Sequence, residues 1–321
     1  MNQNDKKVLA FLQRNLPIVS RPFSELAKRL NLSEENLLAK IKKFLSEKNI
    51  SRIGPVFDSR RLGYKSTLIT VKVPQKKLEQ IIPVINHLKG VTHNYLREDE
   101  YNLWFTLTAS SETVLQKTIA QLKERTGIKD LLNLKAKKMF KIDTSFAVSS
   151  KERKIKNTRK ISPSVGLTPK NRKLINRLSY SIPLQSEPFK GIAEELGIKE
   201  EEVLNKISSW LKKGIIRRVS AVVKPTKIGM EGAALGVWKV ENEKIDKVGK
   251  LMAEFPQVSH CYQRVTYPEW RYNLYTMIHG KDNKNCQRIA DKISEKTRVS
   301  EYKLLFTQRE LKKESMHYFE E

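Results

Sequence analysis

The stretch that decides the fold is "LPIVSRPFSELAKRLNLSEENLLAKIKKFL", from Leu16 to Leu45, because the chain contains it twice. A second version, "IPLQSEPFKGIAEELGIKEEEVLNKISSWL", runs from Ile182 to Leu211. The two copies align without a gap, and the alignment continues through "SRIGPVFDSRRLGY" and "RRVSAVVKPTKIGM". Chance similarity does not keep register over this length. The chain is therefore a tandem fusion of two homologous modules.

A second repeated motif lies further along each module. "GVTHNYLR", from Gly90 to Arg97, corresponds to "QVSHCYQR", from Gln257 to Arg264. Each is followed by a "YNL" segment, and the second copy inserts four more residues between the two. The chain has only five histidines. The repeated His-x-Tyr-x-Arg triplet therefore marks candidate functional residues.

The periodicity of apolar residues changes within each module. Residues 4–15, the segment from Ser24 and the segment after Ser33 are predicted helices, with Ser33 as an N-cap. "ISRIGPVFD" then supplies wing strands, which completes a winged helix-turn-helix. The remainder of each module reads βαββαβ, the ferredoxin-like unit, with "LLNLKAKKMFKI" as the final strand of the first copy. The predicted fold class is α+β, with two such modules in tandem.

The domain boundaries follow from these patterns and from one stretch of linker composition. Residues around 144–169 are rich in Ser, Thr, Pro and positive charge, and contain few apolar side chains. We predict a helix-turn-helix domain at 1–62 and a ferredoxin-like domain at 63–145. A basic linker at 146–168 follows. The second helix-turn-helix domain is predicted at 169–228 and the second ferredoxin-like domain at 229–321. We further expect the two modules to pack together as a pseudo-dimer, and a homodimer of the whole chain is left open.

The chain carries a large positive charge that both modules share. The formal net charge is +27, from 62 Lys and Arg against 35 Asp and Glu. Residues 1–150 contribute 27 basic and 14 acidic side chains, so a basic tail on a neutral body is excluded. A partner with many negative charges is indicated, either nucleic acid or a small molecule with several carboxylates or phosphates.

Composition also bounds the location and the metal chemistry. Cys261 and Cys286 match no metal-site spacing and form no disulfide framework. No apolar run reaches the length of a membrane span, and "MNQNDKKVLAFL" lacks the apolar core of a signal peptide. We expect a cytoplasmic protein that does not contact a membrane.

A helix-turn-helix joined to a ferredoxin-like unit resembles the Lrp/AsnC transcription regulators, and the positive charge agrees with DNA binding. The predicted recognition helices argue against it. Their N-terminal residues, where a reading helix meets bases and phosphates, are carboxylates: Glu34 and Glu35, then Glu200, Glu201 and Glu202. A DNA-binding regulator is the alternative function, and we expect no duplex binding.

The triplet residues have a different chemistry in common. Side chains two apart on a strand share a face, so each triplet presents His, Tyr and Arg together. Arg holds carboxylates, His donates protons near neutral pH, and Tyr donates hydrogen bonds. The inserted segment "TYPEWRYNLY" adds an aromatic wall around a further arginine. The candidate site residues are His93, Tyr95, Arg97, His260, Tyr262, Arg264, Trp270, Arg271 and Tyr272.

Both modules resemble siroheme decarboxylases, an Lrp/AsnC-like enzyme family of alternative heme and heme d-type biosynthesis. "SHCYQRVTYPEWRYNLYTMIHG" is close to the family's most recognisable block, and the helix-turn-helix segments match its N-terminal half. The first copy looks like the A-type subunit and the second like the B-type. The resemblance implies removal of two acetate carboxyl groups, at C12 and C18 of siroheme, to give 12,18-didecarboxysiroheme. The iron comes with the substrate, so no other cofactor is expected.

The resemblance also implies roles for the candidate residues. We assign His93 and His260 as proton donors, while the arginines and tyrosines of both triplets, with Trp270, Arg271 and Tyr272, bind the substrate. An axial bond from one histidine to the substrate iron is an alternative. The first copy has "EDE" in place of the aromatic insertion, so we expect it to form the weaker site. His87 and His317 are predicted to lie on the surface, and His279 in the core or the pocket.

Overall fold

The computed structural model describes residues 3–14, 16–142, 167–223 and 232–320. The predicted linker at 146–168 lies almost wholly outside these residues. The first module begins with α1 (Gln3–Leu12), α2 (Pro22–Leu30) and α3 (Glu34–Ser46). The second begins with α6 (Pro169–Ser179), α7 (Pro188–Glu195) and α8 (Glu200–Lys212). None of the described helices combines the length and the apolar character needed to cross a membrane.

The helix starts follow from capping chemistry. Ser33 accepts a hydrogen bond from the backbone N–H of Asn36 at 3.1 Å, which confirms it as the N-cap of α3. The predicted start of α2 at Ser24 was wrong by two residues. The helix begins at Pro22, because proline's fixed φ and missing N–H suit the first turn.

One hydrophobic core holds both helix-turn-helix domains together. Leu9, Phe23 and Ile41 of the first module belong to the same buried cluster as Phe189 and Trp210 of the second. The two domains therefore fold as one body and not as independent modules.

The strand after each helix-turn-helix does not form a wing within its own module, as we had predicted. β1 (Ile50–Phe57) and β7 (Ile216–Val223) pair with each other, antiparallel, as a two-stranded ribbon between the modules. Each module supplies one strand to this ribbon, and a lone strand would leave its backbone hydrogen-bonding groups unpaired. The counterpart in the other module satisfies them.

The ferredoxin-like units follow the predicted order of elements. The first contains β2 (Lys65–Val71), α4 (Leu78–Asn86), β3 (Val91–Arg97), β4 (Leu103–Ala109), α5 (Glu112–Thr126), β5 (Leu131–Leu134) and β6 (Ala136–Ile142). The second contains β8 (Gly232–Trp238), α9 (Ile245–Glu254), β9 (Val258–Arg264), β10 (Leu274–Gly280), α10 (Asn283–Thr297) and β11 (Tyr302–Lys313).

The last strand of each unit crosses to the other module. The single final strand predicted for the first copy is divided at Lys135: β5 pairs with β2 of its own module, and β6 pairs with β9. In the same way, β11 pairs first with β8 and then with β3. One sheet in the order β5-β2-β4-β3-β11-β8-β10-β9-β6 results. This exchange covers strand edges that a single module would leave exposed.

The C-terminal segment returns to the helix-turn-helix core, although we had assigned all of 229–321 to one ferredoxin-like domain. Tyr318 is buried in that core, and the Tyr64 hydroxyl accepts a hydrogen bond from the Phe319 backbone N–H at 2.8 Å. The segment after β11 thus ties the sheet to the helical body.

Candidate functional site

The two triplets lie on equivalent strands, β3 and β9. His93 and Tyr95 have ring centroids 6.3 Å apart, and the Arg97 guanidinium lies 5.1 Å from the centre of the Tyr95 ring. The second module reproduces this row, with 6.3 Å between the rings of His260 and Tyr262. The alternation of side chains along a strand places all three residues on one face, as predicted.

A hydroxyl group of the preceding residue orients each histidine. Thr92 Oγ1 lies 2.9 Å from Nδ1 of His93, and Ser259 Oγ lies 2.8 Å from Nδ1 of His260. Among the described contacts, neither ring uses Nε2 in a hydrogen bond. The hydroxyl therefore fixes the ring and leaves Nε2 for a ligand.

Burial keeps both imidazoles neutral. It lowers the pKa of His93 to about 4, and the nearby charge of Lys313 adds to this effect. It lowers the pKa of His260 to about 3, with further contributions from His279, His93, Arg217 and Arg264.

Electrostatic interactions connect the two triplets. A positive charge on His93 lowers the pKa of His260, although the two rings come from different modules. Lys313 lies opposite His93 across the β3–β11 pairing, and its charge also lowers the pKa of His279. The exchange of β11 between modules places Lys313 beside His93, which the sequence alone did not indicate.

The ribbon between the modules adds charged groups that sequence reasoning missed. Asp58 forms ion pairs with Arg60 at 2.6 Å and with Arg217 at 3.4 Å. The positive charges of Arg217 and Arg60 lower the pKa of Tyr262, although burial dominates and raises it. The only sequence signal was a basic pair in "SRRLGY" and "IIRRVS", which resembles ordinary surface charge.

The triplet arginines have a structural task that we did not predict. Arg97 donates from Nη1 to the carbonyl of Leu305 at 2.7 Å, and Arg264 donates from Nη1 to the carbonyl of Leu134 at 2.7 Å. Each bond reaches the last strand of the other module at the point of crossing. Both arginines thus fasten the exchanged strands, and their contact with a ligand stays a prediction.

The aromatic insertion forms part of the core and not an open wall. Trp270 is only 3% exposed, donates from Nε1 to the Tyr275 hydroxyl at 2.8 Å and packs edge-on against Tyr272. Arg271 is exposed. The Trp270 ring fills the cluster between the modules, and its contact with a ligand stays a prediction. The same holds for Arg271 and Tyr272.

The remaining histidines differ in environment. His87 is exposed, as predicted. His317 is partly buried and stacks on the exposed Tyr180 at 4.1 Å, so it is less exposed than His87. His279 lies beside the site, with Nε2 2.8 Å from Ser259 Oγ. Within the described ranges, no group of three or more His, Cys, Asp and Glu side chains could hold a metal ion.

The site therefore combines neutral imidazoles, protonated phenols and nearby cations. Burial raises the pKa of Tyr95 and of Tyr262, so both remain hydrogen-bond donors at neutral pH. Such a set can bind carboxylates and deliver protons in a region that admits little water.

Two family models match the chain, each of them in both modules. The model for an AsnC-like ligand binding domain matches residues 61–141 and 227–312. The model for a siroheme decarboxylase NirDL-like helix-turn-helix domain matches residues 5–50 and 171–217. Both families thus occur twice, in agreement with the duplication.

Individual relatives match either the whole chain or one half of it. A siroheme decarboxylase of Hydrogenobacter thermophilus is 38% identical over 100% of this chain and 96% of its own length. A siroheme decarboxylase beta subunit of Methanosarcina barkeri is 45% identical over 44% of this chain and 93% of its own. A crystal structure of the siroheme decarboxylase NirDL in complex with an iron-uroporphyrin III analogue superimposes with a TM-score of 0.75. It shares 36% identity and covers 99% of this chain and 95% of that one. On its full length and in both modules, the chain belongs to the siroheme decarboxylase family.

Proposed function

We propose that this chain is a carboxy-lyase that removes the acetate carboxyl groups at C12 and C18 of siroheme, giving 12,18-didecarboxysiroheme. Membership of the siroheme decarboxylase family supports the activity. The observation that carries the residue assignment is the position of Lys313, which lies opposite His93 and whose charge also acts on His279 beside the second triplet. We therefore assign both carboxyl losses to a region that the two modules build together.

The charge of this region suits a flat polycarboxylate. Lys313 lies beside His93, while Arg217 and Arg60 lie beside the second triplet. Arg264 completes the set, although one of its nitrogens is committed to a backbone carbonyl. Cations at several points suit a disc with carboxylates around its rim, because each can pair with a different side chain of the substrate.

The chemistry requires an acid after carbon dioxide leaves. Breaking the bond between the carboxyl group and the methylene carbon leaves carbanion character, which the conjugated macrocycle delocalises. His93 and His260 supply the proton that turns this carbon into a methyl group. Substrate carboxylates oppose the depression of the histidine pKa values, because a nearby negative charge favours the protonated ring. Substrate binding thus favours the protonated form of His93 and His260, which is the form that donates the proton.

The substrate supplies the iron, and we propose no other cofactor. An axial bond between one histidine and this iron is the second reading, since a neutral imidazole with an uncommitted Nε2 is also a good iron ligand. The absorption spectrum of bound siroheme separates the two roles. Loss of the ligand in a His→Ala variant shifts the spectrum, whereas loss of an acid changes only the rate.

The decisive experiment is anaerobic incubation with siroheme, followed by mass spectrometry of the tetrapyrrole. We expect the unmodified protein to remove two carboxyl groups, and His93→Ala and His260→Ala each to slow both losses by about 100-fold or more. The exposed His87→Ala variant is the matched control. Full activity in both site variants would refute the acid assignment. Accumulation of the monodecarboxylated product in one variant would instead indicate two separate sites.

Duplex DNA is the partner of the alternative function, and we propose that the chain does not bind it. Glu34 at the start of α3 pairs with Arg21 at 2.6 Å. Glu200 at the start of α8 accepts a hydrogen bond from Ser20 of the other module at 2.9 Å. These carboxylates occupy the helix ends that would face phosphates. Fluorescence anisotropy with labelled duplex at low salt should show no binding.

Light scattering on the same sample tests for a homodimer of the whole chain. A cytoplasmic location stays a prediction.

A further inference from the structure

One hydroxyl group in the second module connects two imidazole rings. Ser259 Oγ lies 2.8 Å from Nδ1 of His260 and 2.8 Å from Nε2 of His279. Ser259 is 4% exposed, so bulk water does not compete for these bonds. The three groups form a continuous hydrogen-bonded chain that starts at His279 and ends at Nε2 of His260.

The number of protons on this hydroxyl limits the arrangement. A serine hydroxyl has one proton to donate and two lone pairs to accept with. A third contact, to the Met277 carbonyl, is much longer at 3.4 Å. The proton is therefore best placed toward one ring, while the other ring donates to Oγ. When His279 donates from Nε2 and Ser259 donates to Nδ1, His260 carries its own proton on Nε2, facing the ligand side.

We propose that Ser259 and His279 are positioning residues that set the tautomer of His260 and resupply its proton during each decarboxylation. This inference rests on the proposed function. As the substrate carbon takes the proton from Nε2 of His260, Nδ1 takes the proton of Ser259, and Ser259 takes the Nε2 proton of a protonated His279. Each N–H or O–H bond that breaks is matched by one that forms. His279 ends neutral, and His260 ends with its proton on Nδ1 and none on Nε2. After the product leaves, Nε2 of His260 takes from solvent the one proton that each carboxyl loss consumes, and the Nδ1 proton returns through Ser259 to Nε2 of His279.

Several charged groups surround the hydrogen-bonded chain of His279, Ser259 and His260. His260 faces His279, His93, Arg217 and Arg264, and His279 faces Lys313. All of these are cationic or can become so, and they hold protons away from the rings until an anion arrives. A polycarboxylate in the site offsets these positive charges. The hydrogen-bonded chain of His279, Ser259 and His260 therefore takes up a proton when substrate binds.

The first module lacks the second ring. Thr92 holds Nδ1 of His93 in the same way, but its other partner is the hydroxyl of Thr106 at 3.0 Å. Thr108 occupies the position that aligns with His279. A threonine cannot carry an extra proton at neutral pH, so the first module orients its histidine without a proton supply. The two triplets are thus unequal, and repeated turnover depends on the second.

The test is a set of variants assayed by single-turnover and steady-state decarboxylation of siroheme under anaerobic conditions. Ser259→Ala removes the connection, whereas Ser259→Thr keeps a hydroxyl. His279→Gln keeps an N–H donor for Ser259 but cannot pass a proton. Thr108→Val alters the aligned position of the first module and is the matched control. Siroheme affinity is measured by absorbance titration, and thermal unfolding shows that each variant is folded.

We expect Ser259→Ala and His279→Gln to lower kcat by about 10- to 100-fold, a part of the roughly 10²- to 10⁴-fold that a positioned acid contributes. Siroheme affinity should change by less than about threefold, and Ser259→Thr and Thr108→Val should retain the rate. A His279→Gln variant with the unmodified kcat would overturn the proton supply. If Ser259→Ala does not fold, His279→Gln and Ser259→Thr still decide the question.

Failure of this proposal is distinguishable from failure of the function. If the unmodified protein does not convert siroheme, the proposed function is refuted and the variants are not informative about it. If the unmodified protein converts siroheme and His260→Ala does not, while His279→Gln is as fast as the unmodified protein, only the proton supply is refuted.

Discussion

At the scale of single residues, chemistry was readable from the sequence but environment was not. The types and spacing of His93, Tyr95 and Arg97 predicted a shared face, and its function stays a prediction. Their burial depends on what other elements place over them, and this sets the pKa of each ring. Arg97 illustrates the limit, because its guanidinium is occupied by the carbonyl of Leu305, which is distant in sequence.

The histidine pKa values predict how stability depends on pH. The folded protein lowers the pKa of His93 to about 4 and of His260 to about 3, whereas an unfolded histidine titrates near about 6.5. The unfolded chain binds more protons in this window, so stability is fully present above about pH 6.5 and falls as the pH drops below it. Replacing both rings by glutamine should reduce this loss.

Urea unfolding of the protein without substrate, at about pH 7.5 and about pH 5, measures the effect. Between these two pH values, we expect the free energy of unfolding to fall less in the His93→Gln, His260→Gln double variant than in the unmodified protein. The difference should be on the order of 1 kcal/mol per replaced ring, after allowance for partial exposure. The exposed His87→Gln variant is the control. Equal losses in all three proteins would contradict the assigned pKa shifts.

At the scale of elements, local patterns predicted most helices and strands but not their partners. The division of the last strand of the first copy at Lys135 leaves no trace in its alternation. It occurs because the chain leaves β2 and joins β9 of the other module. Pairing between distant strands is a property of the packed molecule, and β6 depends on contacts with the second module to hold its place.

The docking of β6 on α9 predicts an unusual sign for a glycine substitution. Gly249 lies within α9, where alanine normally stabilises a helix. A Cβ at this position would lie 2.5 Å from the Phe140 ring of β6. We therefore expect Gly249→Ala to destabilise the protein by about 1–3 kcal/mol, because the new methyl group would overlap the Phe140 ring and force it to move.

Gly191 in α7 provides the matched control. Its added Cβ would meet only the end of the exposed and flexible Gln185 side chain. Gly191→Ala should leave stability unchanged or raise it by up to about 1 kcal/mol. Thermal or urea unfolding of both variants measures the difference. A stabilised Gly249→Ala variant would show that β6 does not dock against α9.

At the scale of the whole molecule, the two modules form one structure. They share the helix-turn-helix core and the β1–β7 ribbon, and they exchange β6 and the end of β11. Related proteins distribute the same modules over separate alpha and beta subunits, each matching under half of this chain. We therefore expect the contacts between the modules to hold them together without a covalent connection.

Cutting the chain between the modules tests this. We expect a protein with a protease site inserted between residues 143 and 166 to remain one complex after cleavage and to keep its siroheme decarboxylation rate. Size-exclusion chromatography and the anaerobic assay measure both. The uncleaved protein with the same insertion is the control. Separation of the two pieces in native buffer would show that the exchanged strands do not hold the modules together.

The sequence by itself determined the duplication, the order of elements, the triplets and the need for an anionic partner. All of these are expressed in residue types and in periods of two or 3.6 residues, which neighbouring positions display. The tertiary structure alone decided that the strands are exchanged, that the charges of Arg60 and Arg217 act on Tyr262, and that Ser259 connects His260 to His279. These depend on which distant elements pair, and pairing is selected by the burial and hydrogen bonding of the whole molecule.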